Sequence, residues 1–163
     1  MRRSSLGAIG LLLAAGALLG PRTVVAQGDL IGVWRAVERS GTGPDGEWKD
    51  ETIQPSLYIF ADGYYSIMFV GGNEARPLQA EDATRETLTD EQMRSIFMTF
   101  VANSGTYEVD GSSLTVRPIV ALWPNYMEGG STTYAYEVGE NELVLTTGDF
   151  LWGEFRTKLV RLK

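Results

Sequence analysis

The chain contains no cysteine and no histidine. The first absence excludes a disulfide-stapled scaffold, so the fold must be held by its core alone. Together the two exclude Ser-His-Asp and Cys-His nucleophilic sites and metal sites built on thiolate or imidazole. Basic residues are also scarce: 14 Lys and Arg stand against 21 Asp and Glu in 163 residues, a net charge of −7. A chain so poor in clustered cations is not built to neutralise nucleic-acid phosphates or anionic lipid surfaces. Long apolar runs are missing as well, except for one at the start.

That run identifies itself by its flanks. Arg2 and Arg3 precede an almost unbroken apolar and small-residue stretch from Leu6 to Leu19, and Val24-Val25-Ala26 follows. This is the order of a secretory signal, with cleavage expected after Ala26. The stretch is short for a membrane span of about 20 residues. No cysteine follows it, so no amino-terminal lipoprotein anchor is expected. Residues 1–26 are therefore read as the signal and residues 27–163 as one domain of 137 residues, long enough for a proper core. Loss of Arg2, Arg3 and Arg22 leaves 11 basic against 21 acidic residues, a net charge of −10. The expected destination is the periplasm or the extracellular space, with no membrane insertion after cleavage.

The second half reads as short β-runs separated by tight-turn signals. Tyr107-Glu108-Val109 leads to Asp110-Gly111, and Leu114-Thr115-Val116 runs on toward Leu122 to Tyr126. Thr133 to Val138 meets Gly139-Glu140-Asn141, Leu143 to Thr147 follows, and a last strand is expected near Phe155 to Leu162. In the first half, Asp29 to Glu38 reads as a strand, and Ser40 to Pro55 as a hairpin region around Asp45-Gly46. Leu57 to Phe60 and Tyr64 to Val70 are joined by Ala61-Asp62-Gly63, a hairpin signal. Gly71 to Leu88 has no period and reads as a loop.

Thr89 to Asn103 breaks the β rhythm. Met93, Ile96, Phe97, Phe100 and Val101 fall at helical spacing on one face, and Thr89 with Gln92 matches a capping box. The spacing predicts one amphipathic helix over about 89–103, laid on a sheet or plugging a barrel end, with a mobile lid as the alternative. The whole predicts an all-β antiparallel barrel or sandwich of about 8–10 strands.

Several of these segments carry a resemblance. Gly32-Val33-Trp34 looks like the G-x-W signature of lipocalins. Ser104-Gly105-Thr106-Tyr107-Glu108-Val109-Asp110-Gly111, then Leu122-Trp123-Pro124-Asn125-Tyr126, then Asn141 to Thr147, is similar to the bacterial lipocalin-like domain family. That family shares an S-G-x-Y-x-V-x-G run after a helix and an L-F-P-N-W type motif. Its members often carry histidines on the strand before that motif, where this chain has Val116-Arg117, so no histidine role is carried over. The resemblance covers nearly all of residues 27–163. It implies an all-β antiparallel up-and-down barrel with an internal pocket and, for most members, no established activity. It also implies that Gly32 and Trp34 close one barrel end, with the Trp34 ring under Arg161.

Tyr58, Tyr65, Phe69, Tyr107, Trp123, Tyr126, Tyr134 and Tyr136 lie on expected strands or their ends. Tyrosine suits a pocket wall because it offers a ring and a hydroxyl. The other reading of each ring is plain core filling. Pro124 cannot donate to a ladder and should end a strand, placing Asn125 at the barrel rim as a ligand contact or as part of a rigid turn. Asp45, Glu47, Asp50 and Glu51 lack calcium-loop spacing and read as a solvated acidic face. Glu108 and Glu137 alternate with tyrosines and point outward, so no catalytic residue is assigned and no cofactor or metal is implied.

The leading expectation is an exported protein, a monomer or weak dimer, holding a small apolar or amphipathic molecule inside the barrel. A pocket of several hundred Å³ among these tyrosines and Trp123 is expected. The alternatives are an isomerase or cyclase of the barrel type, by analogy of fold alone, and an envelope protein-interaction module using the acidic surface.

Overall fold

The computed structural model describes residues 27–150 and 153–163. The expected signal, residues 1–26, lies outside them. Among the described residues, no helix is long and apolar enough to cross a membrane.

The hairpin signals build the sheet. Ala61-Asp62-Gly63-Tyr64 joins β3 (Ser56–Ala61) to β4 (Tyr64–Val70), with positive φ at both Asp62 (45°) and Gly63 (82°). A two-residue turn of that kind matches the twist of the strands it joins. β5 (Phe100–Asp110) turns into β6 (Ser113–Ala121), β7 (Thr132–Val138) into β8 (Glu142–Phe150), and β9 (Gly153–Arg161) follows. β1 (Gly32–Gly43) pairs with both β3 and β9. Every pairing is antiparallel, β3 to β9 each pair with the next strand in sequence, and the β1–β9 ladder closes eight strands into an up-and-down barrel. The ninth described strand, β2 (Gly46–Lys49), extends the far end of β1 as a hairpin.

Alternation puts one set of side chains inside. Trp34, Phe60, Leu114, Leu143 and Leu159 are buried in one core together with Leu30, Tyr58, Tyr65, Tyr107 and Tyr136. Glu108 and Glu137 face solvent, opposite to Tyr107 and Tyr136.

Three boundaries differ from the sequence reading. The first strand starts at Gly32 and not at Asp29, because Gln27–Leu30 form a single helical turn, α1. That turn points the Leu30 carbonyl at Trp34 Nε1, which donates to it at 3.0 Å. The helix ends at Met98 and not at Asn103. The capping box of Thr89 and Gln92 starts α2 (Asp90–Met98), and Thr99 stops it, its hydroxyl donating to Ser95 O at 2.9 Å. Phe100 to Asn103 instead pair with Val70 to Ile67, since β4 offers them a full ladder that a further helical turn would leave empty. Pro124 does not sit at a strand end: β6 stops at Ala121, and Pro124 opens a one-turn helix, α3 (Pro124–Met127). Its missing N–H costs nothing at a first helical position.

Candidate functional site

The connections give the barrel two unlike ends. The tight turns at 62–63, 111–112 and 139–141, the start of β1 and the end of β9 share one end. The β1–β2 hairpin, the 71–89 loop with α2, and α3 share the other.

The first end is sealed. Leu30 and Trp34 are both fully buried there. The Arg161 guanidinium carbon lies 4.0 Å from the Trp34 ring centroid. Its nitrogens donate to Glu140 O, Ile31 O and Asp29 O, each at 2.7 Å. Gly32 leaves room for this arrangement, because a Cβ there would overlap Arg161 Nη1 and stand 2.8 Å from Lys163 O.

A surface cleft of about 570 Å³ lies outside this seal, lined by Asp29, Val138, Gly139, Glu140, Asn141 and Arg161. None of the sequence-predicted ligand residues lines it. Its one cation already serves three carbonyls, and its other polar side chains are Asp29, Glu140 and Asn141. Most of the aromatic residues singled out from the sequence lie inside the barrel.

There the tyrosines gather. Tyr58 on β3 stacks on Phe69 of β4, ring centroids 6.4 Å apart and planes 4° from parallel. Burial pushes the Tyr58 hydroxyl up to about 12, with Arg39 and a hydrogen bond to Thr157 opposing the shift. Burial raises Tyr65 and Tyr134 further, and the neighbouring phenols add to it: Tyr126 acts on Tyr65, and Tyr58, Tyr126 and Tyr65 act on Tyr134. These four hydroxyls therefore share one region of the interior. Tyr126 comes from α3, its hydroxyl 2.7 Å from Thr132 Oγ1.

The interior is under-bonded. The hydroxyls of Tyr65, Tyr107 and Tyr136 and the Oδ1 of Asn103 are buried with no hydrogen-bond partner among the described residues. Leaving such a group unpaired costs about 1–3 kcal/mol. Tyr107 and Tyr136 form a second pair toward the sealed end, Tyr107 meeting Phe60 edge-on at 5.5 Å. Burial raises the Tyr136 phenol, and Asp29 and Tyr107 add to the shift.

Trp123 and Asn125 do not join the interior group. Trp123 is 54 % exposed and meets Phe97 of α2 edge-on at 5.2 Å, and Asn125 is exposed. The helix does not plug the barrel with its stripe, since α2 has no buried residue. Met93, Phe97 and Met98 are exposed there, as are Trp123 and Met127, so this end of the barrel carries an apolar rim.

Two interior residues escaped the sequence reading. Arg39 of β1 is 2 % exposed, with Nε 3.1 Å from Asp50 Oδ2, Nη2 donating to Val70 O at 2.9 Å, and its guanidinium 5.0 Å from the Phe69 ring centroid. Asp50, read as part of a solvated acidic face, is its counter-ion. Strict alternation from Trp34 sends residue 39 outward, but the ladder slips between Ala36 and Glu38 and reverses its face. Asn103 was placed at a helix end and carries no signal of its own. Among the described residues, no group of three or more acidic side chains could hold a metal ion.

No protein-family model matches the chain, and no curated protein matches it. Two solved structures resemble it in outline. One is an uncharacterized protein from Bacteroides eggerthii DSM 20697, 13% identical with a TM-score of 0.41, covering 81% of this chain and 98% of that one. The other is a redesigned β-barrel, 10% identical with a TM-score of 0.42, covering 83% of this chain and 94% of that one.

Proposed function

We propose that this is an exported, lipocalin-like binding protein that holds a small amphipathic molecule in the tyrosine-lined part of its barrel. The observation that carries the reading is the set of buried, unpaired polar groups facing inward, above all Tyr65 OH and Asn103 Oδ1. A filled core has no reason to retain them, whereas a ligand with polar atoms supplies their partners. Tyr58, Phe69 and Tyr134 provide the apolar walls. The ligand enters past the exposed rim of α2 and α3, where Phe97 and Trp123 meet, because the other end is sealed by Trp34 and Arg161.

Binding fits these residues better than acid–base chemistry does. Burial holds Tyr65 and Tyr134 protonated, as hydrogen-bond donors, and Arg39 is the one buried charged side chain among the described residues. Native mass spectrometry of the protein from its exported compartment tests the reading. A small molecule that co-purifies and is lost on denaturation supports it, and Tyr134→Ala should lose that molecule while the exposed Trp123→Ala retains it. A bare polypeptide mass, together with no uptake of the neutral dye N-phenyl-1-naphthylamine, would show the interior to be filled.

A further inference from the structure

We propose that Asn103 and Tyr65 form the polar end of the binding chamber proposed above and select a ligand whose head group is a neutral hydrogen-bond donor, such as a hydroxyl or amide, over a carboxylate. The inference rests on the binding reading above and adds the chemical class of the ligand.

The register places the two residues together. Tyr65 pairs with Gly105 and Ile67 with Asn103 across the β4–β5 ladder, so Tyr65 and Asn103 share the inward face as diagonal neighbours. Asn103 Oδ1 can only accept, and nothing among the described residues donates to it. Tyr65 OH can both donate and accept, and it is also unpaired. A ligand hydroxyl satisfies both: its proton goes to Asn103 Oδ1 and its oxygen accepts from Tyr65. A carboxylate could accept from Tyr65 but would set a charge against the Asn103 oxygen.

Among the described residues Arg39 is the one buried cation, and the half-buried Arg76 is turned to Ile96 O, at 3.1 Å, and to the Phe100 ring, on the face of β5 opposite to Asn103. Arg39 is buried, but Asp50 at 3.1 Å neutralises it, Val70 O takes a second nitrogen, and Phe69 covers its face. A buried anion without its own partner is strongly disfavoured. The same surroundings hold protons on Tyr65 and Tyr134, an independent sign that this part of the interior resists negative charge.

The test is displacement of N-phenyl-1-naphthylamine from the full chain at neutral pH by ligands sharing one ten-carbon tail: 1-decanol, decanamide, decyl methyl ether and decanoate. The alcohol and amide should bind roughly tenfold or more tightly than the ether, which cannot donate, and than the carboxylate. Asn103→Leu should abolish the alcohol-over-ether preference while retaining the dye, and Tyr65→Phe, which removes a donor that both ligand oxygens use, should weaken alcohol and ether alike and leave the preference in place. Equal binding of alcohol and ether by the unaltered protein, or tightest binding of decanoate, overturns the inference while leaving the chamber intact. Failure of the dye and all four ligands overturns the binding reading and this inference with it.

Discussion

Arg161, on the last strand, covers the ring of Trp34, on the first, at 4.0 Å while donating to three backbone carbonyls around it. Trp34 and Arg161 are also register partners in the β1–β9 ladder. The contact that seals one end of the barrel is thus part of the seam that closes it. Cation–π attraction and charge-assisted hydrogen bonds act there on the same guanidinium.

Arg161→Ala should therefore destabilise the fold by roughly 2–4 kcal/mol, seen as a lower urea midpoint at an unchanged slope. Arg161→Lys should recover only part of this. An ammonium keeps the ring contact but cannot reach three diverging carbonyls. If the lysine variant is as stable as the parent, the carbonyl bonds contribute nothing.

Asp50→Ala leaves the Arg39 charge buried without its counter-ion and should cost about 3 kcal/mol. Replacing both residues, as Arg39→Met with Asp50→Ala, should recover much of that loss, because the desolvated charge is gone. A double-mutant cycle in urea checks the pair, and a coupling near zero would mean that Asp50 is screened by solvent.

Gly105 sits where the β5–β6 ladder slips a residue, and a Cβ there would collide with the backbone carbonyl of Arg117 and stand 2.8 Å from Ile119 N. Gly105→Ala should destabilise by roughly 2–3 kcal/mol, since backbone and not a flexible side chain must move. Gly63→Ala provides the contrast. A Cβ there meets nothing, so only the strain of its positive φ remains. Thermal melts of the two variants should separate these causes.

The phenols predict an alkaline limit. Burial raises Tyr58, Tyr65, Tyr126, Tyr134 and Tyr136 above the ordinary value of 10.0, Tyr58 to about 12. The folded protein thus keeps protons that the unfolded chain releases, so above pH 10 the unfolded state binds fewer protons. Stability should hold below about that pH and fall as pH climbs from there toward 12. Phenolate absorbance and circular dichroism, followed together, should show these rings ionising with unfolding. Free ionisation of all of them in a still-folded barrel would contradict their burial.

Much of the architecture follows from local chemistry in the chain. Asp62, Gly63 and Gly111 adopt the left-handed backbone that their two-residue hairpins need, and alternating β-rich runs flank each turn. Those signals suffice for an antiparallel up-and-down sheet, and the capping box at Thr89 suffices to start the helix. Where that helix ends was not local: Phe100 and Val101 fit a helical stripe and a strand equally well, and the open ladder of β4 decided between them. Closure of the barrel required the β1–β9 pairing between residues more than a hundred positions apart. The face of Arg39 hung on a one-residue slip after Ala36, because period-two alternation reverses wholesale at a bulge. Likewise, tyrosine spacing could mark rings as inward, but only the curvature of the closed sheet set Tyr58, Tyr65, Tyr126 and Tyr134 around one region and left Trp123 on the rim. Short-range sterics and turn chemistry are written in neighbouring residues, whereas register, face and convergence depend on partners that the chain brings together only by folding.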